Sequence, residues 1–158
     1  MVEVLTIGAH GWSATAFFDA LVRERVGVFC DLRRRRGVRG AEYAFANSAR
    51  LQGRLDELGI AYRHRLDLAP STTIRQAQYA VDESMGVAKR ERTQLAPAFA
   101  AAYAAECLAD FDPAQFLADL APGPICLFCV EREPAACHRS LVTERLAAAG
   151  APVRHLVP

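Results

Sequence analysis

Apolar positions along this chain form two kinds of run, and the two kinds alternate. Short, β-rich runs occupy residues 2–7, 26–32, 60–62, 125–130 and 153–157, and glycine or polar sequence follows each of the first four. Between them, apolar residues recur at helical spacing. Ser13 opens the first helical stretch, to about Arg25, with Trp12 and Phe17 at the two positions of a hydrophobic staple. Asn47 or Ser48 opens a second, running through Leu58 and stopped by Gly59. Residues 71–120 differ in texture. Ser71, the Thr93-Gln94 pair ahead of Pro97, and Asp112-Pro113 each open a helix there, so the region reads as a helical insertion between the third and fourth strands. A last helix is expected from Pro134 to about Ala149, closed by Gly150.

Strands alternating with helices predict an α/β fold. We expect a single three-layer domain over residues 1–158, with a mostly parallel sheet of about five strands, Rossmann-like or flavodoxin-like. In that arrangement residues 8–13, 31–39, 64–67 and 129–139 all follow the carboxyl ends of strands. Ligands of open α/β sheets bind at this edge, so four separate stretches are predicted to meet at one rim.

Composition narrows the function classes. The net charge of +1 excludes a globally basic nucleic-acid-binding surface, so any polyanion site is a local patch. No run approaches the roughly 18 apolar residues of a membrane span, and the N-terminus lacks a basic leader. The cytoplasm is therefore the expected compartment, where cysteines are usually reduced, and five cysteines do not suggest a disulfide framework. The oligomeric state is left open.

The densest chemistry lies in residues 125–139, where Cys129, Glu131, Arg132, Cys137, His138 and Arg139 crowd one strand-to-helix turn. Cys137 is expected in the first helical turn, where free amides and the helix dipole favour a thiolate, with Cys129 as its partner. Both sulfurs also fit the role of small buried hydrophobes. Cys126 and Cys129 make a Cys-x-x-Cys, but period two places their sulfurs on opposite faces of a strand. Cys137 and His138, as helical neighbours, would point about 100° apart. No metal or other cofactor is therefore assigned, and Cys126 is expected in the core. Cys126 and Arg132 also match the Cys-x5-Arg spacing of thiol phosphatases, yet no glycine-rich phosphate cradle lies between them.

Elsewhere, Asp31 and Arg33 close the second strand, as an acid–base and phosphate-binding pair or as a structural ion pair. Five arginines within 33–39 offer phosphate contacts or a solvated basic loop. Gly8 and His10 stand on the first loop and His64 follows the third strand; either histidine suits proton transfer or a structural hydrogen bond.

Several of these segments together resemble a known family. They are Thr6-Ile7-Gly8-Ala9-His10, Asp31-Leu32-Arg33, Gly59-Ile60-Ala61-Tyr62-Arg63-His64, Cys129-Val130-Glu131-Arg132-Glu133-Pro134-Ala135-Ala136-Cys137-His138-Arg139 and Val153-Arg154-His155. The family is domain of unknown function 488. The resemblance implies a compact α/β fold and a site including Cys129, Glu131, Cys137, His138 and Arg139, with Asp31, Arg33, Gly8 and His64 also matching. It carries no settled activity, only a loose link of some members with DNA repair or nucleotide metabolism. The chain departs from the family pattern at Ala9-His10-Gly11, at Arg36 and at Leu68-Ala69-Pro70.

The expected function is an enzyme acting on a phosphate-bearing substrate, a nucleotide or nucleic acid, as a thiol-dependent hydrolase or transferase. Cys129, Cys137, His138, Glu131 and Asp31 are its candidate catalytic groups. Arg33, Arg132, Arg139, Gly8, His10 and His64 are its candidate substrate contacts. The alternatives are a non-catalytic nucleic-acid-binding module using the 33–39 loop, or a thiol redox or metal-binding protein.

Overall fold

The computed structural model describes residues 1–88 and 91–158; residues 89 and 90 of the expected insertion lie outside the described residues. Five strands, β1 (Val4–Gly8), β2 (Val28–Asp31), β3 (Ala61–His64), β4 (Ile125–Cys129) and β5 (Val153–Leu156), form one sheet. Its order is β3-β2-β4-β1-β5, and every pairing is parallel. Among the described residues six α-helices accompany it: α1 (Ala14–Arg23), α2 (Ser48–Glu57), α3 (Thr72–Ser84), α4 (Pro97–Cys107), α5 (Pro113–Leu120) and α6 (Arg139–Ala148). The α/β expectation holds, and α3 to α5 are the insertion between β3 and β4. The strand order is distinct from the 3-2-1-4-5 dinucleotide-binding order and from the 2-1-3-4-5 flavodoxin order.

Alternation along the strands builds the layers. Leu5, Ile7, Phe29, Cys126 and Phe128 meet Phe17, Phe18 and Leu21 of α1 and Leu51 and Leu55 of α2. Val4, Cys30, Ile125 and Leu127 form the other core, under Phe99 and Tyr103 of α4, Phe116 and Leu120 of α5 and Val142 and Leu146 of α6. Cys126 is thus core, as expected. Right-handed crossovers account for the sorting. From β1 to β3 the chain moves toward one edge with its helices on one face, then turns back and lays its helices on the other. The neighbours β2 and β4 consequently send their following helices to opposite faces, which opens a crevice at their carboxyl ends.

The caps follow the sequence closely. Ser13 Oγ accepts the Ala16 amide at 3.1 Å, Ser71 Oγ the Ile74 amide at 3.3 Å, and Asp112 Oδ1 the Gln115 amide at 3.0 Å. Asn47 behaves differently. Its Oδ1 accepts the Val38 amide at 2.6 Å and so ties the arginine loop to the start of α2. Helix α4 begins at Pro97 rather than at Thr93.

One local expectation is corrected. The stretch after Pro134 is a 3-10 turn, Pro134–Ala136, followed by extended backbone at Cys137, and α6 begins only at Arg139. Cys137 therefore sits before the helix, because the tight turn at Pro134 ends before a helical turn can form. Among the described residues no helix is long and apolar enough to cross a membrane.

Gly8 marks where β1 and the loop after β4 come closest. A Cβ there would collide with the backbone carbonyl of Glu131. Gly8→Ala is expected to destabilise by about 3 kcal/mol, read as a lower urea midpoint with an unchanged slope, since the loop must shift and loses hydrogen bonds.

A sulfur, imidazole and arginine pocket

Cys129 is the last residue of β4, and Cys137 follows the 3-10 turn with φ −136° and ψ 144°. Because Cys137 is extended, its sulfur turns back to the strand, and the two cysteines are joined as a disulfide. The sulfurs of Cys129 and Cys137 and a ring nitrogen of His138 all lie within 4.8 Å of one another. The 100° divergence expected of two helical neighbours does not apply, since the first of the two is not helical. His138 Nε2 donates to the Leu32 carbonyl at 2.9 Å, which leaves Nδ1 without a proton, 3.8 Å from Cys137 Sγ. Burial pushes the His138 pKa down to about 4, so the ring is neutral at physiological pH. Cys30, Cys107 and Cys126 are free thiols. Burial raises Cys30 to about 12, Cys107 to about 11 and Cys126 further still, so these three stay protonated.

Arg139 holds this corner together from below. It is fully buried, and its Nη1 donates to the Glu131 carbonyl at 2.7 Å, its Nη2 to the Arg132 carbonyl at 3.1 Å and its Nε to Thr6 Oγ1 at 3.3 Å. Nη1 also lies 3.6 Å from Cys129 Sγ, and the Arg139 amide donates to Cys137 Sγ at 3.5 Å. Both sulfurs therefore face N–H donors from one residue. Burial lowers the guanidinium pKa to about 10, which still leaves it charged at neutral pH.

On the neighbouring strand, Asp31 Oδ1 accepts Arg33 Nε at 2.8 Å and the Arg33 amide at 3.1 Å. Its Oδ2 accepts Arg33 Nη2 at 2.8 Å and the Tyr62 hydroxyl at 2.7 Å. The guanidinium lies 4.7 Å from the centre of the Phe128 ring, and its Nη1, buried, has no hydrogen-bond partner among the described residues. His64 Nε2 donates to the Arg33 carbonyl at 2.7 Å. Asp31 and His64 thus fix Arg33 from its carboxylate side and its backbone side.

Beside these residues, at the carboxyl edge, lies a pocket. Arg33, Arg34, Arg35 and Gly37 line it from the loop after β2, Pro70 from ahead of α3, Arg75, Gln78 and Tyr79 from α3, Arg92 and Leu95 from the segment leading into α4, and Phe99 from α4 itself. Cys129, at the end of β4, and Val130, Glu131, Cys137 and His138, from the segment between β4 and α6, complete it. Arg34 donates to the Pro70 and Ala69 carbonyls at 2.9 and 3.2 Å. Arg92 donates to Asp82 at 2.7 Å, to Glu131 at 3.2 Å and to the Ala136 carbonyl at 3.1 Å.

Of the residues expected at the site, Cys129, Cys137, His138, Glu131 and Arg33 line the pocket. Asp31 and Arg139 stand behind it, each hydrogen-bonded to residues that line it. Gly8, His10, His64 and Arg132 do not line it. The His10 ring packs 5.0 Å from Tyr43, and the His10 amide donates to the Val130 carbonyl at 3.0 Å. Arg132 is half-exposed and lies 3.8 Å from Glu133. Sequence reasoning missed Arg75, Gln78, Tyr79 and Arg92. A signal existed in Gln78 and Asp82, polar residues four apart that turn inward on α3 and hydrogen-bond at 2.8 Å.

No curated protein and no solved structure matches the chain. The family described as "Domain of unknown function DUF488" matches residues 13–146, a span that holds all the residues lining the pocket. The chain therefore belongs to the DUF488 family.

Proposed function

We propose that this protein is an enzyme of the hydrolase or transferase type, acting on a phosphate-bearing substrate such as a nucleotide or a nucleic-acid end. One observation carries the reading: five arginines, Arg33, Arg34, Arg35, Arg75 and Arg92, border the same pocket as Cys129, Cys137 and His138. Carboxylates neutralise Arg33 and Arg92. Arg34, Arg35 and Arg75 leave the pocket cationic, and Arg33 Nη1, which has no partner among the described residues, adds a buried donor that calls for an acceptor. A phosphate group satisfies both demands.

The sulfurs supply the chemistry in their reduced form. A cellular dithiol converts the Cys129–Cys137 bond to two thiols, and the N–H groups of Arg139 favour their thiolate states. A bond of this kind fits the cytoplasm, where disulfides are usually transient and functional. Glu131 and His138 are the groups at the pocket able to carry protons. Asp31, saturated by four donors, is assigned to positioning Arg33. The nucleic-acid-module alternative is weaker, because Arg33, Arg34 and Arg35 line the pocket and Arg36 donates to the Tyr62 hydroxyl, which shortens the outward phosphate-contacting face of the 33–39 loop.

The test is calorimetric titration of the reduced protein with nucleoside mono- and diphosphates, alongside an Arg35→Ala/Arg75→Ala variant. The double variant is expected to bind about 10- to 100-fold more weakly, the loss of one or two charge-assisted hydrogen bonds. Unphosphorylated nucleoside is expected not to bind. Equal affinity of variant and wild type, or no phosphate-dependent binding at all, overturns the proposal.

A further inference from the structure

We propose that, once the Cys129–Cys137 bond is reduced, the two sulfurs and His138 Nδ1 bind a divalent cation of the zinc class, with a fourth coordination position open to the arginine pocket. A tetrahedral zinc ion with bonds of about 2.3 Å to sulfur and about 2.0 Å to nitrogen sets its sulfur and nitrogen ligands roughly 3.6 Å apart. Cys137 Sγ and His138 Nδ1 are 3.8 Å apart, and all three ligand atoms fall within 4.8 Å of one another. The backbone thus holds the ligands near metal-binding spacing already; reduction needs only to let the sulfurs separate.

The surroundings are those of a ligand set. A metal-bound histidine is usually oriented by donating its other ring N–H to a carbonyl or carboxylate, and His138 Nε2 does this to Leu32. Arg139 directs its amide at one sulfur and its guanidinium at the other, an arrangement that stabilises two thiolates and offsets their charge. The ligands are soft sulfur and imidazole, which favours zinc over magnesium or calcium.

Three protein ligands are the number found where a metal keeps a position for water or substrate. Glu131 also lines the pocket, but its carboxylate accepts from Arg92 at 3.2 Å. An oxygen of water or of an anion held by the arginines then completes the tetrahedron, where the metal would supply Lewis-acid polarisation.

The balance is simple. A dithiol reductant gives two electrons and two protons to the protein disulfide and becomes a disulfide itself. The two protein thiols then release two protons as their sulfurs bond to the metal. The metal site concerns the same pocket as the substrate reading but is measured without any phosphate ligand, so each can fail alone.

The experiment titrates the full chain with cobalt(II), then zinc(II), in the absence of oxygen, after a phosphine reductant has been added and removed. Reduced wild type is expected to take up stoichiometric cobalt with thiolate-to-metal charge-transfer absorption and intense tetrahedral bands, and zinc displaces it. The oxidised protein is expected to show neither. Cys129→Ser, Cys137→Ser and His138→Ala are each expected to weaken zinc binding by at least about 100-fold against a chromophoric chelator. The Arg35→Ala/Arg75→Ala variant is expected to bind cobalt as wild type does. No charge-transfer band in reduced wild type, or an unchanged band in both cysteine variants, overturns the proposal. The oxidised-against-reduced comparison uses one unaltered sequence, so it decides the matter even if a substituted chain fails to fold.

Discussion

Asp31→Asn is expected to lower the unfolding free energy by about 3–5 kcal/mol, the largest effect we anticipate for a change of so few atoms. Asp31 has no solvent exposure and the Arg33 side chain is 4% exposed, so neither is solvated by bulk water. Asparagine removes the negative charge and turns one of its two acceptors into a donor facing a donor. The guanidinium is then left charged, buried and poorly matched. Urea denaturation at neutral pH measures the loss. Combining Asp31→Asn with Arg33→Met removes the stranded charge and is expected to restore much of the stability. Should Asp31→Asn alone cost less than about 1 kcal/mol, the pair is not what organises this edge.

Acid is expected to weaken the oxidised, metal-free protein through His138 before most carboxylates titrate. Burial lowers the pKa of this ring from 6.5 to about 4 in the folded chain. Between those values the unfolded chain binds the proton and the folded one does not, so protonation favours unfolding. The contribution is complete above pH 6.5, falls as pH drops toward about 4, and is lost below that. The total is about 3 kcal/mol, at 1.36 kcal/mol for each pKa unit. Asp67, held lower by its hydrogen bond and charge pairing with Arg65, weakens the fold only at more acid pH. Denaturation curves from pH 7 to 4 for wild type and His138→Gln provide the check. Parallel pH dependence of the two would show that the ring does not carry the effect.

Much of the fold was legible because it is written in local rules. Ser13, Ser71 and Asp112 cap the helices they precede, and period-two alternation sorts Leu5 and Ile7 from Val4. The meeting of Cys129, Cys137, His138 and Arg33 at one pocket was legible too, since each ends or follows a parallel strand. Strand order was not, because placing β4 between β2 and β1 depends on packing across the whole sheet. The backbone of Cys137 was also hidden. The sequence Pro-Ala-Ala-Cys-His-Arg suits a helix start, yet residue 137 is extended, with its sulfur joined to Cys129 of the strand and accepting from the Arg139 amide. Arg92 escaped notice because nothing near it in sequence announces partners as distant as Glu131 and Ala136.

The pocket has two origins, and they obey different constraints. Its sulfur and imidazole side grows from β4 and the head of α6, where Gly8 and Arg139 leave no slack. Its opposite wall, with Arg75, Gln78 and Tyr79, comes from α3, which meets the sheet through few core residues. Substitutions along α3 thus alter the shape and charge of one wall of the pocket while the side that carries Cys129, Cys137 and His138 keeps its geometry.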